Sequence, residues 1–316
     1  MPNLSFSKKK ESIPIAYVKG GDYDNNILYL NENDTTKHKS KHKEIPALQY
    51  KNDLKSLKPQ QRIAVMNRLQ EAFASGIPPE MLLESDEIKS LYSRIQDDDK
   101  KDTSIHLPDD SSFQIIPSPD PEKRAVYYIA GQSGSGKSFM ARMIAENYKK
   151  LHPDREIYLI SKLKEDSTLD TMKIGKPKRI NPQSILDDYP AIEDFKDCML
   201  IFDDYDTFDG KLGIAIQKLI DDLAIQGRHT NTTLLCLTHY ITNYKKTRLI
   251  LNEASHFIVY PQATSFSALK YLLGHHLGME KNDVQALKKL GRWVCISKNY
   301  PQYLISEHFS KLLNQE

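Results

Sequence analysis

No run of about 18 uncharged apolar residues occurs in this chain, so no membrane-spanning helix is expected. The N-terminal stretch lacks the apolar core of a secretory signal, and its first lysines follow the short apolar patch instead of preceding it. Cysteine is scarce: Cys198, Cys236 and Cys295 lie inside apolar segments without metal-type spacing, which excludes a disulfide framework and a zinc site and fits a reducing compartment. Net charge is almost absent, at +2, so composition alone announces no nucleic-acid binder. What is present is ordinary for a globular chain: 316 residues, 39% hydrophobic and 27% charged, enough for one large domain or two smaller ones.

The organisation is uneven. Residues 1–57 are polar, with 11 lysines against seven acids through residue 60, a basic run at 37–43 that reads as a solvated loop, and strand-like pieces at 15–18 and 27–30. The turn signal Gly20-Gly21-Asp22 between those pieces predicts a hairpin. Residues 58–95 read as helical, with Pro59 in a first turn, an apolar stripe of Ile63, Met66, Leu69 and Phe73, and a break at Pro78-Pro79. An acidic, proline-containing linker is expected over 96–120. From 121 to 316 short apolar runs alternate with amphipathic ones. Strands are predicted over 125–130, 156–161, 198–202, 233–238, 256–260 and 293–297, and helices over 137–151, 212–226 and 267–290. That alternation predicts an α/β domain with a mainly parallel, doubly wound sheet, preceded by a small mixed and helical N-terminal region.

Three elements carry chemistry. The first is Gly131-Gln132-Ser133-Gly134-Ser135-Gly136-Lys137-Ser138, followed by Phe139, set between an apolar strand and a helix as a P-loop NTPase requires. Glycines let backbone N–H groups converge on phosphates, the helix N-terminus adds partial positive charge, Lys137 reaches the β- and γ-phosphates of ATP, and the Ser138 hydroxyl suits Mg²⁺. The second is the apolar run ending in Asp203-Asp204. Pleating points these acids in different directions, which makes Asp203 the expected Mg²⁺ partner and Asp204 the group that orients and deprotonates water. The third is Gly227-Arg228-His229, a polar stretch, and an apolar strand ending in Thr238-His239. Thr238 or His239 sits where a γ-phosphate is sensed, and His239 equally suits a structural role. Arg228 fits either stabilisation of a transferring phosphoryl group or capping of the preceding helix. Trp293 reads as core.

Together these three elements resemble the genome-packaging ATPases of large DNA viruses, the poxvirus-type branch of the FtsK/HerA superfamily, over roughly residues 120–305. The family usually ends its fourth strand in Ser or Thr followed by Gln, where this chain has Thr238-His239. The resemblance implies a Mg²⁺-dependent ATPase that moves double-stranded DNA into a capsid as a pentameric or hexameric ring, with Arg228 acting on a neighbour's ATP. It also implies capsid or portal-vertex partners and residence in the virion or at an assembly site in the host cytoplasm. Within Tyr244-Lys245-Lys246-Thr247-Arg248, the cations Lys245, Lys246 and Arg248 are the first candidates for a pore loop on DNA, and 173–179 is the second. The competing readings are another translocase or helicase of the same superfamily, a small-molecule phosphotransferase, and a nucleotide-binding scaffold without catalysis.

Overall fold

The computed structural model describes residues 2–31, 58–75, 89, 91 and 104–313. The basic run at 37–43 lies outside the described residues, as does the helix expected beyond Pro78-Pro79 except for residues 89 and 91, which are helical. Two compact units are present. Met1 with Asn33–Thr103 forms one, and Pro2–Glu32 with Ser104–Glu316 forms the other. In the first, helix α1 (Pro59–Ser75) starts at its proline as expected. Leu69 on α1 is buried but Ile63 is 63% exposed, because six residues place the two about 120° apart around the helix.

The second unit holds two sheets. The smaller is antiparallel, in the order β1-β3-β2-β5, where β1 is Asn3–Ser5, β2 Ser12–Lys19, β3 Ile27–Asn31 and β5 Ser112–Ile115. The expected hairpin is therefore β2–β3. Strand β5 and its companion β4 (Ser104–His106) fall within the span expected as linker. The reason is alternation: Phe113 and Ile115 on β5 are buried beside β2, and β4 pairs antiparallel with residues 309–311 at the edge of the larger sheet.

The larger sheet has ten strands among the described residues, and five of its nine pairings are parallel. Its order is β4-β14-β13-β12-β11-β6-β10-β9-β7-β8. The parallel part comprises β6 (Val126–Ala130), β7 (Ile157–Ser161), β8 (Lys178–Arg179), β9 (Met199–Asp203), β10 (Thr233–Thr238) and β11 (His256–Val259). Strands β12 (Val294–Ser297), β13 (Tyr303–Ser306) and β14 (Phe309–Leu312) continue it antiparallel.

The parallel strands are apolar on both faces because both faces are covered. Tyr127 and Ile129 share one core with Met140 and Ile144 of α2 (Lys137–Leu151). Val126 and Tyr128 share the other with Leu219 and Ile220 of α4 (Gly210–Gln226). Between these helices lies the short α3 (Ser184–Asp187). The crossover from β10 to β11 is α5 (Tyr244–Glu253). The single helix expected over 267–290 is two, α6 (Phe266–Leu277) and α7 (Lys281–Leu287). Gly278 ends the first in a left-handed conformation, φ +67°, with its N–H bonded to the carbonyl of Leu273.

Candidate nucleotide site

Three parallel strands deliver the candidate groups to one edge of the sheet. β6 ends at the phosphate loop, β9 at Asp203, and β10 at Thr238, with Gly131 N–H donating to the Thr238 carbonyl at 3.1 Å. This is the C-terminal edge, where α/β sheets form their ligand crevices.

The loop's glycines are dictated by space and torsion. A Cβ on Gly131 would lie 2.6 Å from Ser135 Oγ and 2.7 Å from the Tyr260 ring. Gly134 and Gly136 have φ of +75° and +112°, and Gly136 opens α2 without a side-chain cap on the helix's first N–H groups. The Ser135 hydroxyl is buried and has no hydrogen-bond partner. An uncapped helix start above an unpaired buried hydroxyl fits a polyphosphate. Gln132, Ser133 and Gly134 are exposed, Ser138 is half-buried in the first turn of α2, and Phe139 points outward, 67% exposed.

Lys137 is buried. Its Nζ donates to the Gly131 carbonyl at 3.1 Å and forms an ion pair with Asp204 Oδ1 at 3.3 Å. That oxygen is buried and makes no hydrogen bond. Asp204 itself is left-handed, φ +44°, immediately after β9. Asp203 points the other way and accepts from Ser161 Oγ, at the end of neighbouring β7, at 2.9 Å. Burial first, and the adjacent Asp204 second, push the Asp203 carboxyl up to about 6. A carboxylate held in this environment suits a cation.

His239 stands between two acids. Its Nε2 is 3.6 Å from Asp204 Oδ2 and its Nδ1 is 3.4 Å from Asp206 Oδ1, while its backbone N–H donates to Asp206 Oδ2 at 3.0 Å. The ligand atoms of Asp204, Asp206 and His239 all lie within 4.8 Å of one another. Thr238 is buried, and its hydroxyl accepts from the N–H of Tyr240 at 3.1 Å.

No family model matches the chain. It is 33% identical over 222 residues to Uncharacterized protein V3 of Sputnik virophage, a match covering 69% of this chain and 88% of that protein. The chain belongs to the family of this virophage protein. Among solved structures, the V3-family chain is similar to the genome packaging NTPase B204 from Sulfolobus turreted icosahedral virus 2 in complex with ATP-gammaS, at 16% identity and a TM-score of 0.42, over 60% of this chain and 97% of that one. It is also similar to the pCW3 conjugation coupling protein TcpA in its monomer form with ATPgS, at 15% identity and a TM-score of 0.41, over 61% and 62% respectively.

In this V3-family chain Arg228 does not join the other candidates. It follows α4 and precedes β10, and the segment around it bonds to the opposite edge of the sheet: Asp197 N–H to Thr230 O, Thr232 Oγ1 to Phe195 O, and the Asn231 side chain to Pro121 O. A six-residue strand separates that edge from Thr238, roughly 20 Å at about 3.3 Å per residue. The capping role belongs to Arg124, whose guanidinium donates to the Leu223 and Ala224 carbonyls at 2.7 and 2.6 Å.

The segment expected as a pore loop is the start of helix α5. Lys245 lies in its first turn. Lys246 Nζ donates to the Asp206 carbonyl at 2.7 Å, which ties this helix to the acidic turn, and Arg248 is exposed beside a groove shared with Tyr271 and His275. In the second basic segment Arg179 is paired with Asp170 at 2.9 and 2.7 Å. Three residues at the site are not singled out by the linear reading: Ser161, Asp206 and Tyr260. Asp206 sits in the same acidic turn as Asp204, and a hydrogen-bonding histidine after Thr238 is its only hint.

Proposed function

We propose that this chain is an ATP-hydrolysing motor of the viral genome-packaging kind, acting on double-stranded DNA. The observation that supports it most is the meeting of Lys137 with Asp204 at 3.3 Å, which joins the phosphate loop to the acidic end of β9. In this reading Lys137 exchanges the Gly131 carbonyl and Asp204 for the β- and γ-phosphates of ATP. Released from Lys137, Asp204 accepts the proton of the attacking water. Ser138 and Asp203 would hold Mg²⁺, which supplies charge neutralisation between the phosphates. His239 and Thr238 fix the far wall of the site, and Arg228 serves the nucleotide of a neighbouring subunit in a pentameric or hexameric ring. Lys245, Lys246 and Arg248 on α5 are the candidate contacts for DNA phosphates, and Lys246 links this helix to the acidic turn through the Asp206 carbonyl. Capsid or portal-vertex proteins are the partners of such a motor, and the virion or a cytoplasmic assembly site is its place. The N-terminal region before residue 121 is the part suited to partner docking.

The test is Mg²⁺-dependent ATP hydrolysis by the purified chain with and without long double-stranded DNA, beside Lys137→Ala. DNA stimulation, with a loss of about 100-fold or more in the variant, is expected. Undiminished hydrolysis in Lys137→Ala would retire the nucleotide site, and hydrolysis indifferent to DNA would retire the motor.

A further inference from the structure

The antiparallel half of the sheet reaches into the phosphate loop. Val259 of β11 lies beside both Ala130 of β6 and Val294 of β12 in the sheet register. The two residues before Val294 and the one after Val259 therefore arrive at the same edge as Gly131. Tyr260 places its ring against the loop, within 2.7 Å of a Cβ at Gly131 and 3.6 Å of one at Gly136. Arg292 closes over it. Its Nε donates to the Ser135 carbonyl at 3.0 Å and its Nη2 to the Gly134 carbonyl at 3.3 Å.

The geometry points to Arg292 as a positioning residue of the nucleotide site, a clamp on the outside of the phosphate loop that sets it for a triphosphate. This rests on the nucleotide-site reading above. In a trans peptide the C=O and N–H point in opposite directions, so a guanidinium holding the Gly134 and Ser135 carbonyls outward turns the N–H of Ser135, which donates to the Gln132 carbonyl at 3.2 Å, and the N–H of Gly136 the other way. Charge-assisted bonds to those carbonyls also polarise the peptide units and strengthen their N–H groups as donors. The rigid fork matters: two adjacent carbonyls match two guanidinium nitrogens, and a lysine ammonium offers only a point charge. Backbone with two of its glycines at positive φ has few restraints of its own, so an external clamp removes conformations that phosphate binding would otherwise have to select against.

Binding is the readout. A fluorescent ATP analogue is titrated into the full chain, wild type beside Lys137→Ala, Arg292→Ala and Arg292→Lys, and displaced with inorganic tripolyphosphate, and each protein is melted without ligand. Arg292→Ala is expected to weaken tripolyphosphate binding by about tenfold or more with a ligand-free melting temperature within about 2 °C of wild type. Arg292→Lys is expected to fall between the two. Tripolyphosphate affinity within about twofold of wild type in Arg292→Ala, while Lys137→Ala has lost it, overturns the clamp and leaves the nucleotide site standing. Should Arg292→Ala melt early, Arg292→Lys decides: wild-type affinity overturns the clamp and weakened affinity supports it. A wild-type chain that binds neither probe removes the inference together with the site.

Discussion

His239 shows what a single side chain can be asked to do at a strand end. Flanked by Asp204 at 3.6 Å and Asp206 at 3.4 Å, its ring spans the two acids, and its own N–H is fixed by Asp206. An imidazole so held limits where the Asp204 carboxylate can turn. In His239→Ala the maximal rate of ATP hydrolysis should drop about 100-fold with a smaller change in KM, whereas His239→Gln, which keeps an N–H donor, should retain most of the rate. Separate kcat and KM values check this, and equal losses in both variants would remove the orienting role. At this scale legibility follows chain proximity. Lys137, Asp203 and Asp204 sit inside runs whose spacing is itself the signal. Ser161, Asp206 and Arg292 matter because tertiary structure brings them there, and Arg292 is more than 150 positions beyond the carbonyls it holds.

Helices and strands were legible where periodicity was long and unbroken. The expected bounds of α2 and β10 coincide with those found, since an apolar strand and a glycine-ended loop leave little freedom at either end. Gly278 interrupts the pattern over 267–290 with a torsion that periodicity cannot register. Strands β13 and β14 are four residues each, too short to show alternation. The end of α4 distinguishes Arg124, which caps it, from Arg228, which follows it. Arg124→Ala should destabilise the fold by about 1–3 kcal/mol, because two carbonyls of the last turn lose a charged donor. Arg228→Ala, on an exposed side chain, should stay within about 0.5 kcal/mol. Urea unfolding of both variants checks the contrast, and the reverse order would return the capping role to Arg228.

At the scale of the whole molecule, the parallel and antiparallel halves of the larger sheet meet at a seam along β11. His256 on β11 lies in that seam, stacked on Tyr127 with ring centroids 4.6 Å apart and bonded to Ser255 and Tyr303. Burial lowers its pKa to about 4. The unfolded ring titrates near 6.5, so the unfolded chain binds the extra proton first as the solution is acidified. The contribution of His256 is thus complete above about pH 6.5 and is lost as pH falls toward 4, by roughly 1–3 kcal/mol given that an edge of the residue remains accessible, while the raised Asp203 carboxyl acts in the opposite sense over the same window. Denaturant midpoints across that window, compared with His256→Gln, check it, and identical slopes would assign the decline elsewhere. The same sheet sets a rule of symmetry. The phosphate loop occupies one edge and Arg228 the other, joined by α4, a rod of 17 residues and roughly 26 Å. A two-fold pair uses one patch on both copies and would have to include both edges at once. A head-to-tail contact needs only one edge from each copy, and such contacts repeat until rotation closes them or a filament grows.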